Sequence, residues 1–169
     1  MPFQSRVNTY LPQAFPGDFC SANPRVSTVG PEGSWYAGAS GVLAATFVWG
    51  NENTRQVFNS AVGAGLAATV LPDGFVRKGG MGIIASVPEE STMQIPAGQM
   101  VTVFDKGEFW VAVPSGVTAA RRAEVYADPA SGLIVNSGTL GAVKTGYYYA
   151  LSAAPGEMVK ISAWISPSA

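Results

Sequence analysis

No histidine occurs among the 169 residues of this sequence. Histidine is the side chain whose ordinary pKa lies nearest neutrality, and it is the commonest general base and metal ligand. Its absence excludes Ser-His-Asp and Cys-His hydrolysis, histidine-ligated zinc and histidine-ligated haem. Cysteine is nearly missing as well. Cys20 stands alone, so there is neither an internal disulfide nor a thiolate cluster to hold a metal. Charge is scarce: 12% of residues are charged, against roughly a quarter in an average domain. Ten Lys and Arg offset eleven Asp and Glu for a net charge of −1, which leaves no electrostatic footprint for nucleic acid. The longest apolar stretches, residues 42–49 and 66–71, fall far short of the ~20 residues that cross a bilayer, so no membrane partner is expected. The opening Met1-Pro2-Phe3-Gln4-Ser5-Arg6 has no charged region followed by an apolar run, which predicts no secretory leader.

Little chemistry survives these exclusions. Several carboxylates sit where turns want them, as in Leu71-Pro72-Asp73-Gly74, Asp105-Lys106-Gly107 and Asp128-Pro129-Ala130-Ser131-Gly132. There they accept hydrogen bonds from nearby backbone. A paired-carboxylate enzyme remains a formal alternative, with Asp105 and Glu108 as its candidates. Gly63-Ala64-Gly65-Leu66-Ala67-Ala68 matches a dinucleotide-binding pattern, but that chemistry needs a helix after the glycines. Pro72 and Gly74 follow too soon to leave room for one. The basic pair Arg121-Arg122 lies near Glu124 and Asp128 and reads as a solvated loop. No catalytic residue, cofactor or metal site is predicted.

What is present is β-structure. Hydrophobic residues make up 47% of the chain, and 20 glycines and 12 prolines punctuate short β-rich runs. That is the pattern of a sandwich or barrel. Residues 42–49 read as a buried strand ending at Gly50-Asn51. Residues 60–69 could start a helix, which Gly63 and Gly65 weaken by about 1 kcal/mol each. Residues 75–77 and 81–87 read as short strands. Three hairpins are expected. The first joins residues 100–104 to 108–113 through Asp105-Lys106-Gly107, with the glycine supplying a positive φ. The second joins 123–127 to 133–136 through residues 128–132. The third joins 144–150 to 158–165 across Ala154-Pro155-Gly156. In the second arm of the first hairpin, Phe109, Val111 and Val113 share one face while Trp110 takes the other. In the last strand Val159, Ile161 and Ala163 alternate with Lys160, Ser162 and Trp164. Tyr147, Tyr148 and Tyr149, being consecutive, must point to both faces.

Residues 1–33 differ in kind. Pro2, Pro12, Pro16, Pro24 and Pro31 deny them a regular helix or central strand. Phe3, Val7, Tyr10, Leu11, Phe15 and Phe19 are more apolar side chains than a disordered tail carries. An extended arm fits both facts, lying either on its own body or on a neighbour. The expected architecture is therefore all-β: a single two-layer β-sandwich or jelly-roll-like domain over residues 34–169, with an extended N-terminal arm over residues 1–33. Those six apolar residues are the candidate partner-binding set.

Five strings carry a resemblance to a known family: Leu71-Pro72-Asp73-Gly74-Phe75-Val76, Ile95-Pro96-Ala97-Gly98, Gly107-Glu108-Phe109-Trp110-Val111, Val125-Tyr126-Ala127-Asp128, and the closing Pro155-Gly156-Glu157-Met158-Val159-Lys160-Ile161-Ser162-Ala163-Trp164. In their order and spacing, together with the Pro-rich aromatic opening, the chain resembles the structural cement (capsid decoration) proteins of tailed bacteriophages. The resemblance implies a non-enzymatic protein made in the host cytoplasm and built into the virion. There it binds the outside of the expanded head and bridges adjacent major capsid proteins. Self-association as a dimer or trimer is implied too. A different class, a glycan- or ligand-binding β-module of a phage tail or fibre, would use Trp35, Trp49, Trp110 and Tyr147–Tyr149 as stacking platforms.

Overall fold

The computed structural model describes residues 14–79 and 93–166. Among these residues the strands are, in chain order, β1 (Val26–Thr28), β2 (Trp35–Ala37), β3 (Val42–Leu43), β4 (Thr46–Asn51), β5 (Gln56–Phe58), β6 (Gly74–Val76), β7 (Gln94–Ile95), β8 (Met100–Val101), β9 (Val103–Lys106), β10 (Glu108–Ala112), β11 (Glu124–Ala127), β12 (Ile134–Val135), β13 (Val143–Tyr149) and β14 (Met158–Ser162). A single 3-10 turn, Pro31–Gly33, separates β1 from β2. The all-β sandwich expected from the sequence is what forms.

One layer is a seven-stranded sheet in the order β1-β9-β6-β4-β5-β2-β8. Only Thr102 separates β8 from β9, and β1 and β2 run one after the other along that bent β8–β9 strand. The ends of the order therefore meet, and the layer curls into a small barrel. Most of its pairing is antiparallel, but β2 and β5 run parallel. The second layer is a five-stranded antiparallel sheet, β10-β14-β13-β11-β12. A two-stranded ribbon, β3-β7, completes the described strands.

The period-two alternation of strand side chains explains why two cores form. In β4, Phe47 and Trp49 pack between the layers while Val48 points into the barrel. In β6, Phe75 joins the interlayer core and Val76 the barrel core. A strand covered on both faces carries an unbroken apolar run, which accounts for the string Phe47-Val48-Trp49. The second sheet instead buries one side. Phe109, Val111, Val159 and Ile161 point inward, while Trp110 and Lys160 lie half-buried on the other face, with the Lys160 Nζ 4.9 Å from the Trp110 ring. Tyr147 and Tyr149 are buried and Tyr148 is not, as three consecutive strand residues require.

The second and third expected hairpins form. Tyr126 pairs with Val135, and Tyr149 with Ile161. Asp128 holds the turn of the second, its carboxylate accepting hydrogen bonds from Ala130 N (3.0 Å) and Ser131 Oγ (2.6 Å).

The first hairpin does not form. β9 belongs to the barrel layer and β10 to the five-stranded sheet, so residues 105–107 carry the chain from one layer to the other. Gly107 is buried and has no positive φ. A Cβ there would sit 2.9 Å from the Phe109 ring, so glycine is required for close approach instead of turn conformation. Asp105 is a strand residue in β9 and not a turn residue. Asp73 also acts at long range, its carboxylate accepting the Gly50 N–H of β4 (2.6 Å).

Two further expectations need refinement. The run 42–49 is split into β3 and β4 by Ala44-Ala45, with Ala45 at φ 63°. Residues 61–65 form turns without a helix, as the glycines there predict. The strand expected at 81–87 lies outside the described residues.

Candidate interaction surface

The described part of the N-terminal segment is stitched to the body along two strand edges. Residues 17–20 run antiparallel to β10. The Gly17 N–H donates to the Trp110 carbonyl (2.7 Å), the Trp110 N–H to the Asp18 carbonyl (2.9 Å), and the Cys20 N–H to the Glu108 carbonyl (3.2 Å). Further on, β1 covers the edge of β9. Uncovered strand edges invite pairing with other chains, so this strap closes one edge of each layer. Gly17 must be glycine: its φ is 87°, and a Cβ would lie 2.7 Å from the Lys78 nitrogen.

The two candidate phenylalanines within the described residues play different parts. Phe19 turns inward against Phe104 and Phe109, each 5.3 Å away between ring centroids. The guanidinium groups of Arg25 and Arg77 lie 3.6 and 4.5 Å from its centroid. Phe15 turns outward, 50% exposed, with the Lys78 ammonium 4.3 Å from its ring. Phe3, Val7, Tyr10 and Leu11 lie outside the described residues.

Cys20 and Glu108 show how the strap is seated. Burial, reinforced by the Glu108 carboxylate, pushes the Cys20 thiol up to about 11. Burial also acts to raise Glu108, but hydrogen bonds from Ser21, Ser162 and Asn23 outweigh it and hold the carboxyl below its ordinary range. Two pKa units above the ordinary thiol value leave roughly a hundredfold less thiolate at pH 7.5. Cys20 is therefore expected to react with a thiol-specific maleimide about a hundred times more slowly than free cysteine at that pH, with the rate still climbing toward pH 11. Reaction as fast as free cysteine would mean that the strap is not seated on β10.

Beside Phe15 a groove of about 550 Å³ opens along the seam between the layers. Its walls include Pro16, Ala44, Ala45, Met93, Val111 and Ile134, and Leu43, Leu133 and Lys78 stand with Phe15 among its lining residues. Leu43 and Leu133 are 38% and 47% exposed. Six separate segments build this groove. Sequence patterning singled out only Phe15 among its residues. A leucine placed directly after the turn glycine Gly132 was a usable signal for Leu133.

The aromatic platforms that a glycan-binding module needs are largely spent in the cores. Trp35 is buried with the barrel core, while Trp49, Tyr147 and Tyr149 are buried between the layers. Trp49 Nε1 donates to the Val70 carbonyl (2.9 Å), and the Tyr147 hydroxyl to the Phe104 carbonyl (3.1 Å). The two carboxylates of the enzyme alternative are also placed apart in role: Asp105 is exposed on β9, and Glu108 is engaged by Ser162 and Asn23.

Against known proteins, a family model described as XM1 gp53 minor capsid protein matches residues 3–163, nearly the whole chain. The chain belongs to that family. Among solved structures, a chain of the capsid of Myoviridae phage XM1 shares the fold at 16% identity, with a TM-score of 0.66 over 96% of this chain and 98% of that one. No curated protein matches. As a member of a minor capsid protein family, the chain is a virion component with a structural role in association with the capsid. Among the described residues no helix is long and apolar enough to cross a membrane.

Proposed function

We propose that this minor capsid protein is a cement subunit. It binds the outside of the assembled head and bridges adjacent major capsid proteins, performs no reaction, and associates with its own copies as a dimer or trimer. Residues 34–169 are the body and residues 1–33 the arm that engages neighbours, through the set Phe3, Val7, Tyr10, Leu11, Phe15 and Phe19. One observation carries this reading: the strap spends its backbone hydrogen bonds on its own body yet leaves Phe15, Val26 and Val29 exposed, the last by 74%. Apolar side chains left exposed along a strap whose backbone is already satisfied are available to a partner. Phe15 is the member of the set available to a partner within the described residues, and Phe19 holds the strap in place.

The low charge content supports the same reading, because permanent interfaces are poor in charge at their centre. A ligand that binds only the assembled shell stabilises it by mass action, and a specific contact buries on the order of 1,600 Å². A density map of heads carrying this chain provides the test. The expected result is density on the outer surface that spans two neighbouring capsomers. Density confined to the inner surface, or to a single capsomer, would refute bridging.

A further inference from the structure

The groove at the layer seam has a chemistry of its own. Its lining is almost wholly apolar, and its volume is that of sites which enclose a bound group. The cation on its rim is Lys78, whose neighbour Arg77 stacks with Arg25 on Phe19 along the same strap. Among the described residues none of these three cations has a carboxylate within salt-bridge distance. The ion pairs found there are Arg55–Glu32 and Lys144–Glu124. An apolar slot with one cation on its rim, which no described carboxylate pairs with, selects a partner of complementary character.

We infer that this groove is the docking site for an extended segment of a neighbouring capsid protein, one that carries a carboxylate beside apolar side chains. The apolar side chains enter between Leu43, Met93 and Leu133, and the carboxylate pairs with Lys78. Part of the groove wall is built on paired strands, β3 of the ribbon, β4 of the barrel layer, and β10 and β12 of the five-stranded sheet, so that part of the slot is formed before the partner arrives. Preformed slots lose little entropy on binding. Nucleic acid fits less well, since the groove lining offers one cation and no hydrogen-bonding platform for bases. The inference rests on the capsid-binding reading above.

Heads assembled without this protein are the probe, and co-sedimentation measures its binding to them. Lys78→Glu is expected to weaken binding about tenfold or more, since a like-charge contact replaces an attractive one. Leu133→Ser, at an exposed rim position, is expected to weaken it several-fold, and the Lys78→Glu loss should shrink as salt is raised. Arg121→Glu, an exposed cation remote from the groove lining, should leave binding unchanged. On binding, the amides of residues 43–46 and 133–134 should gain protection from hydrogen exchange.

Each alternative outcome is decisive. Wild-type binding with Lys78→Glu and Leu133→Ser equally tight would overturn the groove while leaving the capsid-binding reading intact. No wild-type binding at all would remove both. Equal losses in Arg121→Glu would show non-specific attraction instead of a site. A melting temperature lowered by several degrees in free Lys78→Glu would assign the groove to the chain's own packing, and the docking assignment would fall.

Discussion

Replacing Phe109 with alanine is expected to lower the free energy of unfolding by about 3–5 kcal/mol, the range for deleting a fully buried aromatic ring. Phe109 points from β10 into the space between the layers and is fully buried. Its ring centroid lies 4.7 Å from that of Phe75, 5.3 Å from Phe19, 5.6 Å from Phe104 and 6.2 Å from Tyr147. It therefore touches the barrel layer, its own sheet and the strap at once. Truncation opens a cavity at the point where all three meet, and neighbours held by strand pairing collapse into it poorly. Phe109→Leu keeps most of the volume and should cost under about 1.5 kcal/mol. Denaturant unfolding of the three proteins measures both differences. A loss below about 1 kcal/mol for the alanine variant would mean that the layers are not held together through this cluster.

Gly132→Ala should be nearly as severe, although a single methyl is added. Gly132 sits in the β11–β12 turn at φ 71°, and its carbonyl accepts the Phe47 N–H at 2.9 Å. A Cβ at this position would land far inside van der Waals contact distance of the Phe47 carbonyl oxygen, which is backbone and cannot swing aside. The left-handed conformation costs about 1–2 kcal/mol for alanine, and forcing the turn away from β4 adds about 1–3 kcal/mol. The sum of roughly 3 kcal/mol corresponds to a fall in Tm of about 6–12 °C for a chain of this length. Gly116→Ala is the control. Its φ is 83° but nothing lies within 4 Å of the added Cβ, so only the conformational penalty applies. Equal melting temperatures for the two variants would show that the turn is not clamped to β4.

Much of the secondary structure was legible because burial writes a period-two signature. Phe109, Val111, Val159 and Ile161 announced their strands, and the consecutive apolar residues 47–49 announced a buried one. Pairing was legible only where a turn joined consecutive strands. Residues 100–113 carry every local mark of a hairpin, yet β9 pairs with Val26–Thr28 and Gly74–Val76 while β10 pairs with Met158–Ser162. The partners that decide the matter lie some thirty to eighty residues away in the chain, and no short window contains them. Gly107 gave no warning, because a glycine needed for contact with Phe109 looks the same as one needed for a turn. The positive φ of Ala45 was hidden for the opposite reason: alanine seldom adopts it.

The interaction surface was legible by composition and not by geometry. A Pro-rich segment studded with aromatics had to lie against something, which singled out Phe15 and Phe19. That one faces out while the other locks the strap follows from Phe104, Phe109, Arg25 and Arg77 converging on Phe19. The groove beside Phe15 depends on Leu43, Lys78, Met93 and Leu133 arriving from separate segments, and nothing in their local sequence relates them.

Calorimetry of intact heads, with and without this protein bound, tests the cement role most directly. A protein that holds neighbouring capsomers together should raise the temperature of shell disruption by several degrees at saturation and in proportion to occupancy below it. Identical disruption temperatures at full occupancy would contradict that role, leaving a capsid component that decorates the shell without strengthening it.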